Sequence, residues 1–158
     1  MNNTREIASK ILQHTYLHND FEKACRKNTD FNHLDQRDKN FTRLIVLESL
    51  RRNKQIDFII KTFLKKPLDK NKIFLEFLIR ISVCQILFLK VSEYAVVNSA
   101  VEISKKFKLH GLVNAILRNV CRQKKKLLNS LKDITNIPAW LENNLSESFG
   151  VNEIKKIS

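Results

Sequence analysis

A chain of 158 residues with only two glycines and two prolines has room for one domain and a tail. It is also too poor in turn-forming residues for a sheet-rich fold of that length. Its formal charge of +13 implies attraction to polyanions that weakens as salt rises. The most apolar run, residues 73–89, is interrupted by Glu76, Arg80 and Gln85, which excludes a membrane span and marks a core helix.

The apolar spacing predicts about seven helices. The first covers residues 3–17, with Ile7, Ile11, Leu12 and Thr15 facing inward. A short second helix covers 21–27, and the polar stretch 28–33 reads as a loop. The third covers 35–52 with Phe41, Leu44, Ile45 and Leu47 as core contacts, and the fourth covers 55–64 with Ile56, Ile59, Ile60 and Phe63. Pro67 then breaks the chain, and Asp69 is the expected N-cap of a fifth helix over 70–89. That helix is apolar on most sides and is the expected centre of the bundle. Ser92 caps the sixth helix, which places Val97, Ala100, Val101, Ser104 and Phe107 on one face. Gly111 introduces the seventh, with Val113, Ile116, Leu117, Val120 and Cys121 on one face. After Lys126 the pattern weakens, and 137–141 reads as a turn before a short closing helix to about Phe149, with Trp140 pinning the tail to the body. The fold class is therefore all-α, a compact helical bundle over residues 1–128 followed by a tail over 129–158.

Charge is uneven along the chain. Residues 1–50 carry eight basic and seven acidic side chains, 51–100 carry ten and four, and 101–158 carry eleven and five. Lys outnumbers Arg by 20 to 9, and Asn and Ile reach 16 each, a profile that an A/T-rich genome also produces at permissive surface sites. The arginines resist that alternative better than the lysines. Lys105, Lys106 and Lys108 precede the turn between the sixth and seventh helices, and Arg118 and Arg122 follow it. Together they form the expected phosphate-contacting junction. Arg51 and Arg52, with Lys54, form a second basic corner. Tyr94 either stacks on an unpaired base or packs against the helix pair, and of the two packing is the expected role. Asn98 and Asn114 are expected to bond backbone where helices cross, and Arg80 to pair with Glu76 or an acid from another helix.

Catalytic and metal patterns are missing from the sequence. His14 and His18 have metal-ligand spacing but no third ligand at matching spacing. Cys25, Cys84 and Cys121 form no C-x-x-C pair and read as reduced, mostly buried cytoplasmic thiols. There is no Gly-rich elbow around a Ser and no phosphate-loop pattern. No cofactor is expected.

Four motifs in order carry a resemblance. They are Asp38-Lys39 at a charged helix start, Gln85-Ile86-Leu87-Phe88 ending the central helix, Tyr94-Ala95-Val96-Val97-Asn98, and Gly111-Leu112-Val113-Asn114-Ala115-Ile116-Leu117-Arg118. Over roughly residues 4–126 the chain resembles the NusB-like family of all-helical RNA-binding domains. Arg5 matches a basic position typical of that family's N-terminus, and the resemblance implies a phosphate contact there or a solvated residue. One branch of the family is the free-standing transcription antitermination factor, which binds an RNA element with a small ribosomal protein. The other is the N-terminal domain of a bacterial rRNA cytosine methyltransferase, and the wording of 111–118 and of the tail is more similar to this branch.

The family's pattern often has Glu where this chain has Ser99, Pro near Ser92 and Glu93, and Gly where it has Ser82. The chain has no Gly-rich turn for S-adenosylmethionine and no Pro-Cys pair, so by itself it is expected to be non-catalytic; the unpaired thiols make the cytoplasm its expected location. The implied partners are rRNA or an antitermination-type element, together with a ribosomal protein or a methyltransferase catalytic domain. A protein-interaction adaptor and the detached front part of a split methyltransferase are the alternatives.

Overall fold

The computed structural model describes residues 3–134. Among the described residues there are nine α-helices, three short 3-10 turns and no strand. α1 (Thr4–His18) starts where the Asn3 side chain accepts the backbone N–H groups of Arg5 and Glu6 at 2.9 and 3.4 Å. It stops at Asn19, whose left-handed φ of 53° closes the last turn. Its inward stripe is the expected one, widened by Ala8 and Ser9.

α2 (Phe21–Lys27) is capped by Asp20. The expected loop over 28–33 is instead largely a one-turn helix, α3 (Thr29–Asn32). Asn28 caps it by accepting the Phe31 N–H at 2.8 Å, and Phe31 is thereby buried beneath the Arg43 guanidinium, 5.5 Å from its ring centre.

α4 (Gln36–Arg51) corrects a second expectation. Leu44 and Leu47 are 49% and 48% exposed, and the buried stripe is Thr42, Ile45, Val46 and Ser49. Phe41, Leu44, Ile45, Val46, Leu47 and Leu50 cover more than half of the helix circumference. The period alone therefore does not choose the face, and packing against α1 and the central helix does. Leu44→Gln and Leu47→Gln are expected to change stability by less than about 0.5 kcal/mol. Ile45→Ala is expected to cost about 2–5 kcal/mol. Urea titration of the three variants checks this.

α5 (Asn53–Phe63) buries Ile56, Ile59 and Ile60. The fifth predicted helix begins late. Lys70–Lys72 form a 3-10 turn, with the Asp69 carbonyl rather than its side chain accepting the Lys72 N–H at 2.8 Å. α6 (Phe74–Phe88) follows and is buried at Leu75 and at every position from 77 to 87. It is the shared wall of two cores. Phe77 and Ile81 pack with α1, α3 and α4, while Leu78, Ile79, Val83 and Ile86 pack with α5, α7 (Glu93–Ser104), α8 (His110–Arg122) and α9 (Lys124–Ser130).

The polar residues of α6 are all engaged. Ser82 donates to the Leu78 carbonyl at 2.8 Å. Arg80 pairs with Glu76 at 3.3 Å and with Asp57 from α5, and lies over the Tyr16 ring. Burial works against its charge, but Tyr16, Asp57 and Glu76 outweigh it and hold the pKa above the ordinary arginine value. Gln85 is fully buried, donates to the Ile81 carbonyl at 3.1 Å and accepts from Arg5 Nε at 2.9 Å.

Two more contacts tie the start of the chain to the sixth predicted helix. Asn3 Nδ2 donates to Ser99 Oγ at 3.1 Å, and Lys106 pairs with Glu6. Leu127 and Leu131 fill the second core, and Gln55 Nε2 donates to the carbonyls of Leu131 and Ile134 at 3.4 and 3.3 Å. No described helix is long and apolar enough to cross a membrane. The turn and closing helix expected over 137–149, Trp140 included, lie outside the described residues.

Candidate nucleic-acid interface

α7 and α8 form a hairpin. Ser92 Oγ accepts the Ala95 N–H at 3.3 Å and fixes the start of α7. The 3-10 turn Lys105–Phe107 and the left-handed Lys108, φ 59°, reverse the chain into α8. The antiparallel pairing brings the first half of α7 beside the second half of α8. Between them lies an open groove of about 410 Å³ lined by Glu93, Tyr94, Val97, Asn98, Val101, Asn114, Arg118, Cys121 and Arg122.

Val97, Val101 and Cys121 are buried or half-buried and provide the apolar lining. The other lining groups are polar or aromatic. Tyr94 is 77% exposed, so it does not pack against the helix pair as expected. Arg118 Nε donates to Asn114 Oδ1 at 2.9 Å, and Arg122 donates to Asn119 Oδ1. Both guanidinium groups are therefore oriented by neutral amides. Neither has a carboxylate partner among the described residues, so their charge is left uncompensated. Asn114 bonds a side chain where a backbone contact was expected, and Asn98 is exposed. Glu93 sits on the rim, 3.8 Å from Lys124. Burial, and then Glu93, push the Cys121 thiol above its ordinary pKa.

The lysines of the turn are elsewhere. At about 1.5 Å of rise per residue, Arg118 and Arg122 stand roughly 12 and 18 Å along α8 from its start. The single basic junction expected from the sequence is thus two groups at opposite ends of the hairpin, because a tight turn pairs the far ends of two long helices. Lys105 pairs with Glu102 at 2.7 Å and Lys106 with Glu6, while Lys108 is exposed.

The remaining candidates divide similarly. Arg51 points outward, exposed at the end of α4. Arg52 turns inward, pairing with Glu48 at 2.9 Å, donating to Gln55 at 3.2 Å and lying 4.5 Å from the Phe88 ring centre. Arg5 is half-buried, bonded to Gln85 and stacked over Phe41 at 5.8 Å, and burial lowers its pKa. Glu93, Asn98 and Asn114 are groove residues that the sequence reading did not select. For Asn98 and Asn114 the available signal was the step of four from Tyr94 to Asn98 and from Asn114 to Arg118 to Arg122; Glu93 had none beyond its place next to Tyr94.

The sequence pattern of the NusB family matches residues 2–122. The chain is similar to ribosomal RNA small subunit methyltransferase B of Proteus mirabilis, 28% identical over 73% of this chain and 29% of that protein. It is also similar to the probable ribosomal RNA small subunit methyltransferase B of Bacillus subtilis, 27% identical over 80% of this chain and 30% of that protein. The chain thus spans less than a third of the length of these relatives. The family match takes in α1 through α8 and so includes both walls of the groove; the chain belongs to the NusB family.

Proposed function

We propose that this chain is a non-catalytic RNA-binding domain that holds unpaired RNA in the α7–α8 groove. The observation that carries the reading is the placement of Arg118 and Arg122, exposed and with no carboxylate partner among the described residues, beside the exposed ring of Tyr94. Guanidinium forks suit phosphate oxygens, and an aromatic face suits an unpaired base, which is how proteins read single-stranded RNA. The net charge supports the same class of partner. Lys108 and Arg51 are exposed but do not line the groove, and Lys105, Lys106 and Arg52 are engaged by acids.

The family resemblance supports RNA as the partner. The names of the relatives make ribosomal RNA the first ligand to test and a methyltransferase catalytic domain the first protein partner. An antitermination-type element with a ribosomal protein is the other pairing the family offers. Burial holds all three thiols above their ordinary range, Cys84 being pushed up to about 11. None is thus the ready thiolate that nucleophilic attack needs.

Fluorescence anisotropy with single-stranded and duplex rRNA fragments tests the reading. Single strands are expected to bind more tightly, with log K falling linearly in log salt between about 50 and 200 mM. Affinity no better than millimolar at low salt overturns it.

A further inference from the structure

We propose that the α7–α8 groove is a recognition pocket for one unpaired guanine, with Tyr94 as the stacking surface and the Glu93 carboxylate as the acceptor of its Watson–Crick edge. The inference rests on the RNA reading above and adds a base preference to it.

The observation that calls for explanation is a carboxylate on the rim of an otherwise cationic groove. A phosphate backbone is repelled by it. The two arginines do not use it, since Arg118 bonds Asn114 and Arg122 bonds Asn119. Its one ion partner among the described residues, Lys124, is 3.8 Å away and outside hydrogen-bond range. The side chain remains 44% exposed, and beside it in the groove lies the weakly donating Cys121 thiol. Acceptor positions are left for stronger donors.

Base edges differ in what they offer such a group. An unpaired guanine presents N1–H and the N2 amine side by side, and two adjacent donors match the two oxygens of one carboxylate. Adenine and cytosine present a single amine. Uracil presents one N–H between two carbonyl oxygens, which the carboxylate repels. Asn98 lies four residues beyond Tyr94, and its amide can donate to guanine O6. A groove of about 410 Å³ is at the small end of ligand sites and suits one nucleotide rather than several. The guanidinium groups of Arg118 and Arg122 then take the phosphates of the same strand.

Competition anisotropy on the full chain tests this, using seven-nucleotide uridine strands with a central guanosine, adenosine, cytidine or uridine. The guanosine strand is expected to bind about tenfold more tightly than the all-uridine strand, with the adenosine and cytidine strands between them. Glu93→Gln is expected to bring the four strands to within about twofold of one another, and Tyr94→Ala to weaken all four together. Equal affinities in the unmodified chain, or a guanosine preference that survives in Glu93→Gln, overturn the base preference and leave the RNA reading standing. Failure of every strand to bind overturns both.

Discussion

Reversing Arg118 and Arg122 together to Glu is expected to lower affinity for single-stranded RNA on the order of a hundredfold, from loss of two charge-assisted contacts. It is also expected to flatten the log–log salt dependence by about 1.4, since each phosphate contact on a single strand contributes about 0.7. The fold survives because both side chains are exposed and, among the described residues, bond to amides one turn away on their own helix. Arg122 occupies the last turn of α8, where a Glu also meets the negative end of the helix, a cost of about 0.3–1 kcal/mol. The double Gln variant is therefore the control. It keeps the helix neutral there and is expected to show the same flattened slope with a smaller loss of affinity. Reversal of Lys105 and Lys106 is expected to do less, because Glu102 and Glu6 already compensate them. An unchanged salt slope in the arginine double variant would move the site away from the groove and leave the exposed Arg51 corner as the alternative.

Leu78→Ala is expected to cost about 2–5 kcal/mol, against a total stability of roughly 5–15 kcal/mol for a domain of this kind. Leu78 is fully buried on the face of α6 that supports the hairpin. The neighbours that surround it come from several helices, so the cavity cannot be closed by one element shifting. Urea unfolding should show a lower midpoint with an unchanged slope. RNA affinity measured well below that midpoint should be preserved. A loss under about 1 kcal/mol would mean that the site collapses freely, and that the wall between the two cores is loosely packed at Leu78.

The sequence made some elements plain and concealed others for identifiable reasons. The stripes of α5 and α8 were legible because their apolar residues gather mainly on one face and leave polar groups elsewhere. α4 was not, because its apolar residues run around more than half of its surface and only its neighbours select Ile45 and Val46 over Leu44 and Leu47. α3 was concealed by its polar composition. A single turn carries too few residues for a period, and the Asn28 cap was its only mark. In the groove, Tyr94 and the two arginines were each noticeable as residue types. Their meeting depends on hairpin pairing across more than twenty positions, which local spacing does not report. The acid partner of Lys106 had the same effect in reverse, since nothing near Lys106 in the chain announces Glu6, whereas the Glu48 partner of Arg52 lies at ordinary helical spacing.

The threads that join the first residues to later helices bear on how this domain comes off the ribosome. Asn3 meets Ser99, Arg5 meets Gln85, and Glu6 meets Lys106, partners separated by 96, 80 and 100 positions. Synthesis runs from the N-terminus, so α1 leaves the exit tunnel long before any of those three partners has been made. Its apolar stripe must wait, held by α2 to α4 alone, and the groove takes its final shape only when the last third of the described chain has emerged.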